Sequence, residues 1–252
     1  MDSKLILHTI LALLLLAIPA GALYLLERQK LVKFVATVGR MIVQLLAVCL
    51  IVWALIRWNN IWVLLGWLML ISVGSAWLVL KRCGLQIKKL PAVAGGLFLG
   101  VLFVGFWLLV LAMPVHATDA RWFVPVTGLL MGHSSAMLIR GLNTYVSALK
   151  ADMQQYEFLR GNGTDHLHAV LPFVRRALQQ VFAPTAANLS VMGLYAMPLL
   201  LCGIFIAGIA PVNAFVVTLQ LIFGCLASSV IALAVALWLA DRQLFDKYGK
   251  LQ

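Results

Sequence analysis

The sequence predicts an all-α, polytopic membrane protein of about seven transmembrane helices, and three features carry that prediction. Of its 252 residues, 63% are hydrophobic and only 11% are charged, and the apolar residues gather into runs of roughly bilayer length separated by basic clusters. A water-soluble domain carries about 25% charged residues. With a mean hydropathy of +1.02, there is too little polar sequence to cover the surface of a soluble core, which excludes a soluble enzyme. The 19 Lys and Arg against 8 Asp and Glu give a net charge of +11. The basic residues lie between apolar runs and not on a polar fold, so the charge speaks to membrane orientation and anionic lipid, with no nucleic-acid partner.

A hydrocarbon core of about 30 Å needs about 20 apolar residues in a helix. Seven segments meet or approach that length: Leu5 to Leu26, Val35 to Ile56, Ile61 to Leu80, Pro91 to Met113, Phe123 to Leu149, Pro184 to Ala210 and Val212 to Ala240. The first resembles a secretory signal, with Lys4 before an apolar stretch and Ala20-Gly21-Ala22 near its end, but charge counting favours its retention. The fifth is apolar only to Ile139; Arg140, Asn143, Tyr145 and Lys150 then form an amphipathic extension expected to leave the bilayer. The sixth contains Pro198, Gly203 and Gly208 and is expected to be kinked or discontinuous.

With these spans, Arg28, Lys30, Lys33, Arg40, Lys81, Arg82, Lys88, Lys89, Arg140, Lys150, Arg160, Arg175, Arg176, Arg242, Lys247 and Lys250 fall on one side. Only Lys4, Arg57 and Arg121 fall on the other. The positive-inside rule therefore places the N-terminus outside and the C-terminus in the cytoplasm of an inner or plasma membrane. The chain reads as one transmembrane domain, residues 1–252, whose only sizeable polar stretch is a cytoplasmic loop over residues 151–183.

That loop has helical character of its own. Gly161-Asn162-Gly163-Thr164 is turn chemistry, with Thr164 as an N-cap. Leu167, Val170, Leu171, Val174, Leu178 and Val181 then recur at helical spacing, opposite Arg175, Arg176, Gln179 and Gln180. Pro172 is expected to break the run into two helices. Such an element either lies on the inner leaflet as a basic amphipathic helix or docks a cytosolic protein. For the docking alternative the candidate residues are Glu157, Gly163, Thr164, Asp165, Leu167, Leu171, Arg175 and Arg176. His166 and His168 point about 200° apart on a helix and so would not clasp one ion; they read as solvated loop histidines.

All eight acidic residues fall outside or at the edges of the spans, so the mid-membrane carboxylate usual in ion-coupled transporters is missing. No GxxxxGK[ST] phosphate loop occurs, so ATP and Mg are not expected on this chain and ATP hydrolysis is assigned to a separate subunit. The four cysteines show no CxxC spacing; Cys49, Cys202 and Cys225 lie inside apolar runs and read as small buried hydrophobes. The embedded polar groups include His133, Ser134 and Ser135 in the fifth segment, and Asn188 and Ser190 beside Met197, Pro198 and Cys202 in the sixth. His133 either bonds a neighbouring helix or lines a pathway. The same choice holds for Met131, Met137, Met192, Met197 and Cys202, which are core filler or soft donors to a thiophilic ion.

Val38-Gly39-Arg40 followed by Gln44-Leu45-Leu46, then Pro125-Val126-Thr127-Gly128-Leu129-Leu130-Met131-Gly132, and finally Pro198 through Pro211 resemble the FetB/YbbM family of ABC-transporter permeases. The resemblance spans most of the chain from Val35. It implies a permease without enzymatic activity of its own that works with a cytosolic ABC ATPase and a second permease copy or related chain, and that exports a metal ion or small solute. His133, Ser134, Ser135, Asn188, Ser190, Met197, Pro198 and Cys202 are then the candidate translocation path. Gly132-His133 stands where the family commonly reads Gly-Asn. The rival is a non-transporting membrane scaffold whose loop recruits a cytosolic partner. A membrane-embedded enzyme is disfavoured, since no His, Asp, Glu or Cys cluster shows acid–base or ligand spacing.

Overall fold

Long apolar runs with few breakers leave the backbone no partner but itself inside a bilayer, and the chain accordingly folds into helices. The computed structural model describes the backbone of residues 14–26, 28–85, 90–112, 119–195, 197–206 and 208–244; the side chains of residues 22–23, 25–31, 188–200 and 242–244 lie outside the description. The helices are α1 (Ala17–Leu26), α2 (Arg28–Trp58), α3 (Ile61–Cys83), α4 (Leu90–Phe106), α5 (Ala120–Ala151), α6 (Met153–Gly161), α7 (His166–Tyr195), α8 (Met197–Ile206) and α9 (Pro211–Leu244). A six-residue π-helix, Trp107–Ala112, continues α4. Among the described residues no strand occurs.

By length and composition, five stretches can cross a membrane: Val32–Trp58, Ile61–Cys83, Leu90–Ala112, Ala120–Ala151 and Pro211–Asp241. They coincide with the second, third, fourth, fifth and seventh segments expected from sequence. The first segment lies partly outside the described residues. The sixth falls on α7 and α8, with residues 196 and 207 outside the described residues.

The chain forms two compact units, residues 1–57 and 58–252. The first contains α1 and α2 up to Arg57. The second is a bundle in which α9 packs along α4 and α5, α3 covers α4 and α5, and α7 lies on α5. Its helix ends are set by side chains. Asn60 caps α3 by accepting the Trp62 N–H at 3.1 Å, and Asp119 caps α5 by accepting the Arg121 N–H at 3.0 Å. Gly84, at φ +63°, closes α3. The Asn59 side chain accepts the Ala120 N–H at 2.9 Å, tying the approach to α3 to the start of α5.

In lipid, helices gain from close packing more than from apolarity, which favours small residues at contacts. A Cβ on Gly96 would lie 2.8 Å from the Ala232 carbonyl oxygen and the Ala236 Cβ, and one on Gly100 would lie 2.9 Å from the Ala232 Cβ. Because backbone cannot yield there, Gly96→Leu is expected to separate α4 from α9. Overpacking costs about 1–3 kcal/mol even where neighbours can shift, and here they cannot. Detergent-solubilised Gly96→Leu protein should lose its monodisperse elution peak, whereas Gly66→Leu, with nothing within 4 Å of the added Cβ, should keep it.

Two expectations about local structure are corrected. Pro172 does not break the loop helix: α7 runs from His166 to Tyr195 with Pro172 and Pro184 inside it. An internal proline costs about 3 kcal/mol. Ala169, Val170, Phe173, Ala177 and Val181 form a continuous buried stripe, and full burial of each larger apolar side chain returns about 1.5–3 kcal/mol, so packing outweighs the lost bond. The cysteines are also not uniformly buried: Cys225 is, while Cys83 is half-buried and Cys49 and Cys202 are exposed.

Candidate coupling site and membrane pathway

At Asp152 (φ −115°, ψ 37°) the helical backbone is interrupted, and α6 begins at the next residue. Its far end is closed by Gly163 at φ +81°. The Gly163 N–H donates to the Arg160 carbonyl and the Thr164 N–H to the Leu159 carbonyl, each at 3.1 Å, which is a Schellman closure. Thr164 therefore finishes α6 and does not cap α7, contrary to the sequence expectation. Asp165 takes that place: its carboxylate accepts the His166 N–H at 2.8 Å and its carbonyl accepts the Ala169 N–H. A carboxylate at a helix N-terminus is also favoured by the helix dipole. The physical reason for the shift is Gly163, whose left-handed conformation makes the next residue a donor to the preceding helix.

The buried stripe of α7 is rotated from the one expected. Val170 and Val181 are buried, but Leu167 is 62% and Leu171 53% exposed, and Phe158 on α6 is 69% exposed. Glu157, Asp165, Arg175 and Arg176 are exposed as well, with Thr164 half-buried. Arg176 donates to Asp152, joining α7 to the α5–α6 elbow; an exposed pair of this kind contributes about 0–1 kcal/mol. The loop thus presents apolar and charged side chains on a closed, capped turn.

Behind that turn lies a polar chain the sequence reading missed. Asp241, 8% exposed near the end of α9, accepts the Tyr145 hydroxyl of α5 at Oδ1, 3.0 Å. Its Oδ2 accepts from His166 Nε2 at 2.7 Å, and His166 Nδ1 lies 2.9 Å from the Tyr156 hydroxyl of α6. His166 is therefore not a solvated loop residue, while His168 is exposed. Burial raises the pKa of Tyr156 above its ordinary value, so its hydroxyl remains a donor. A sequence signal existed: Leu233, Leu237 and Asp241 recur every four residues and share the buried face of α9, which puts an acid on a core stripe.

Deeper in the spans several hydroxyls are bonded within the chain. Ser134 and Ser228 bond across α5 and α9 at 3.0 Å. Ser135, Thr218 and Ser229 donate to carbonyls four residues back on their own helices. Met137 accepts the Thr185 hydroxyl at 3.3 Å, and Met131 is buried. Across bilayer-embedded helices such bonds average about 0.6 kcal/mol, so a double-mutant cycle with Ser134→Ala and Ser228→Ala should give a coupling of about that size in thermal unfolding. Among the described residues, His133 Nε2 and Trp67 Nε1 are the buried side-chain donors or acceptors without a hydrogen bond. His133 sits beside an exposed edge of α5 formed by Gly128, Gly132, Ala136 and Arg140. Cys202 is exposed on α8; the side chains of Asn188, Ser190, Met197 and Pro198 lie outside the described residues. No group of three His, Cys, Asp or Glu residues gathers as a metal site among the described residues.

Residues 6–245 match the uncharacterised protein family UPF0014. The chain belongs to that family. The UPF0014 membrane protein slr1647 of Synechocystis is 24% identical over 218 residues, covering 84% of this chain and 83% of the relative. The "Probable iron export permease protein FetB" of Escherichia coli K12 is 24% identical over 223 residues, 85% of this chain and 82% of the relative. The UPF0014 membrane protein STAR2 of rice is 25% identical over 185 residues, 70% and 62% respectively. No solved structure matches the chain. This UPF0014 chain is thus a multi-pass helical membrane protein of a permease-like family, divergent from FetB.

Proposed function

We propose that this chain is the permease subunit of an ABC transporter, moving a metal ion or small solute with ATP hydrolysed by a separate cytosolic subunit. The observation that carries the proposal is the exposure of Phe158, Leu167 and Leu171 on the two helices flanking a turn fixed by Gly163 and Asp165 and tied back to the bundle through His166. Three large apolar side chains held outward beside Glu157, Arg175 and Arg176 suit a groove in another protein better than water. The basic residues favour a cytoplasmic position for this end of the bundle under the positive-inside rule, where an ATPase with bound ATP and Mg would sit.

The similarity to the probable iron export permease makes iron the first cargo to test, and export the first direction. The exposed edge of α5, with Gly128, Gly132 and Ala136 allowing close approach and His133 beside them, faces a second permease copy or related chain. The pathway then runs between the two subunits, since the hydroxyls of Ser134 and Ser135 are already bonded within one chain.

Site-specific crosslinking tests the docking directly. With a photo-crosslinking residue in place of Thr164, irradiation of membranes containing both subunits should yield an adduct with the ATPase, and a probe at Asn60 should yield none. Adducts with lipid alone at position 164 would overturn the proposal in favour of a membrane-surface helix.

A further inference from the structure

A carboxylate taken out of water costs several kcal/mol unless it is paired and fully bonded. Asp241 meets that condition through two helices at once: Tyr145 on α5 fills Oδ1, and His166, the first residue of α7, fills Oδ2. His166 in turn meets Tyr156 of α6, so four helices converge on one acid and one imidazole. A buried, hydrogen-bonded carboxylate of this kind contributes little net stability against an apolar alternative; what it fixes is geometry, because removing a partner leaves the buried charge of Asp241 less well bonded.

The position matters more than the number of bonds. His166 begins the helix that carries Leu167 and Leu171, and the same residue takes the Asp165 carboxylate at its N–H. Asp241 lies one turn beyond Leu237 and five residues beyond Ala236, which is locked against Gly96 of α4. Displacement of the first turn of α7 therefore reaches α9, and through the tight α4–α9 contact it reaches a second span. The Arg176–Asp152 pair, by contrast, is exposed and connects the loop only to its own elbow.

We infer that Asp241, with Tyr145 and through His166, is the positioning residue that anchors the Phe158–Leu167–Leu171 surface to α9 and passes movement of that surface into the spans. Its functional half rests on the docking proposal above; the anchoring half stands on this chain alone. In the neutral ring, His166 donates from Nε2 to Asp241 and accepts the Tyr156 hydroxyl at Nδ1. A glutamine at 166 reproduces the donor to Asp241, and an alanine does not.

Hydrogen exchange of the full-length protein in lipid nanodiscs, together with ATPase assays of the reconstituted complex, tests the two halves separately. Asp241→Ala and His166→Ala should each speed exchange of the amides of residues 166–171 at least tenfold, with α4 unchanged. His166→Gln should recover most of the protection, and Asp152→Ala, which removes only the exposed pair, should stay within twofold of the native chain. In the complex, Asp241→Ala should lower permease-stimulated ATP hydrolysis about tenfold while the ATPase still co-purifies. Unchanged exchange in Asp241→Ala and His166→Ala overturns the anchor. Faster exchange with undiminished stimulation upholds the anchor and overturns transmission through it. Loss of co-purification in all variants that loosen residues 166–171 means the anchor shapes the docking surface without transmitting, which also overturns transmission. If Asp241→Ala does not fold, Tyr145→Phe, which deletes one hydroxyl, gives the same reading at smaller amplitude: a threefold or greater rise upholds the anchor and none overturns it.

Discussion

Leu167→Asp is expected to release the separate ATPase from the membrane-bound chain, and Leu171→Asp to do the same. Both side chains are more than half exposed on the first two turns of α7, so a charge there costs the isolated permease little. At the centre of a docked interface, losing an apolar anchor costs roughly 2–4 kcal/mol, about 30- to 1,000-fold in affinity, and burying an unpaired carboxylate adds to that. Gly163→Pro acts on the same surface by another route. Proline fixes φ near −65° and has no N–H, while position 163 needs φ +81° and donates to the Arg160 carbonyl. Pull-down of the ATPase through a tag on the permease should fall to background for these variants, with permease levels and elution profiles unchanged. Undiminished recovery would leave the helix on the membrane surface.

His133→Ala is expected to abolish most substrate-stimulated ATP hydrolysis, a tenfold loss or more, while shifting thermal unfolding of the permease by less than about 1 kcal/mol equivalent. The reasoning is that Nε2 makes no hydrogen bond among the described residues, so truncating the ring removes no bond at that nitrogen. A histidine serving as interhelical glue gives the opposite pattern, a lowered Tm with normal stimulation. Ser134→Ala makes the contrast sharper: its hydroxyl is bonded to Ser228, and its loss should cost a little stability and leave stimulation intact.

The spans were legible because a bilayer imposes one length on apolar helices; Ile61–Cys83 and Ala120–Ala151 each begin within three residues of the expected start. The loop was legible as a turn between helices, since Gly163 is the residue that tolerates a left-handed backbone. What failed there failed for non-local reasons. Leu167 and Leu171 looked like part of the core stripe because they recur at helical spacing with Val170 and Val181, yet the bundle takes up Ala169, Phe173 and Ala177 beside those two valines instead. Pro172 looked like a break because the packing that offsets its lost hydrogen bond belongs to α5. His166 looked solvated because its partner, Asp241, is 75 residues away, and only the repeat of Leu233 and Leu237 before that acid hinted that it points inward. The polarity of Ser134 and Ser135 could be read from composition; that Ser134 bonds Ser228 could be seen only once α9 lay beside α5.

ATP-driven transport by the paired subunits tests the central claim most directly. Proteoliposomes containing the permease and its ATPase, with the nucleotide-binding face outward, would be given ATP and Mg and a panel of divalent metal ions and small organic solutes. The account predicts ATP-dependent accumulation of at least one solute inside the vesicles, absent without ATP, absent with either subunit alone, and lost in Leu167→Asp. Accumulation that proceeds equally without ATP, or an ATPase whose activity and membrane association are the same with and without the permease, would contradict it.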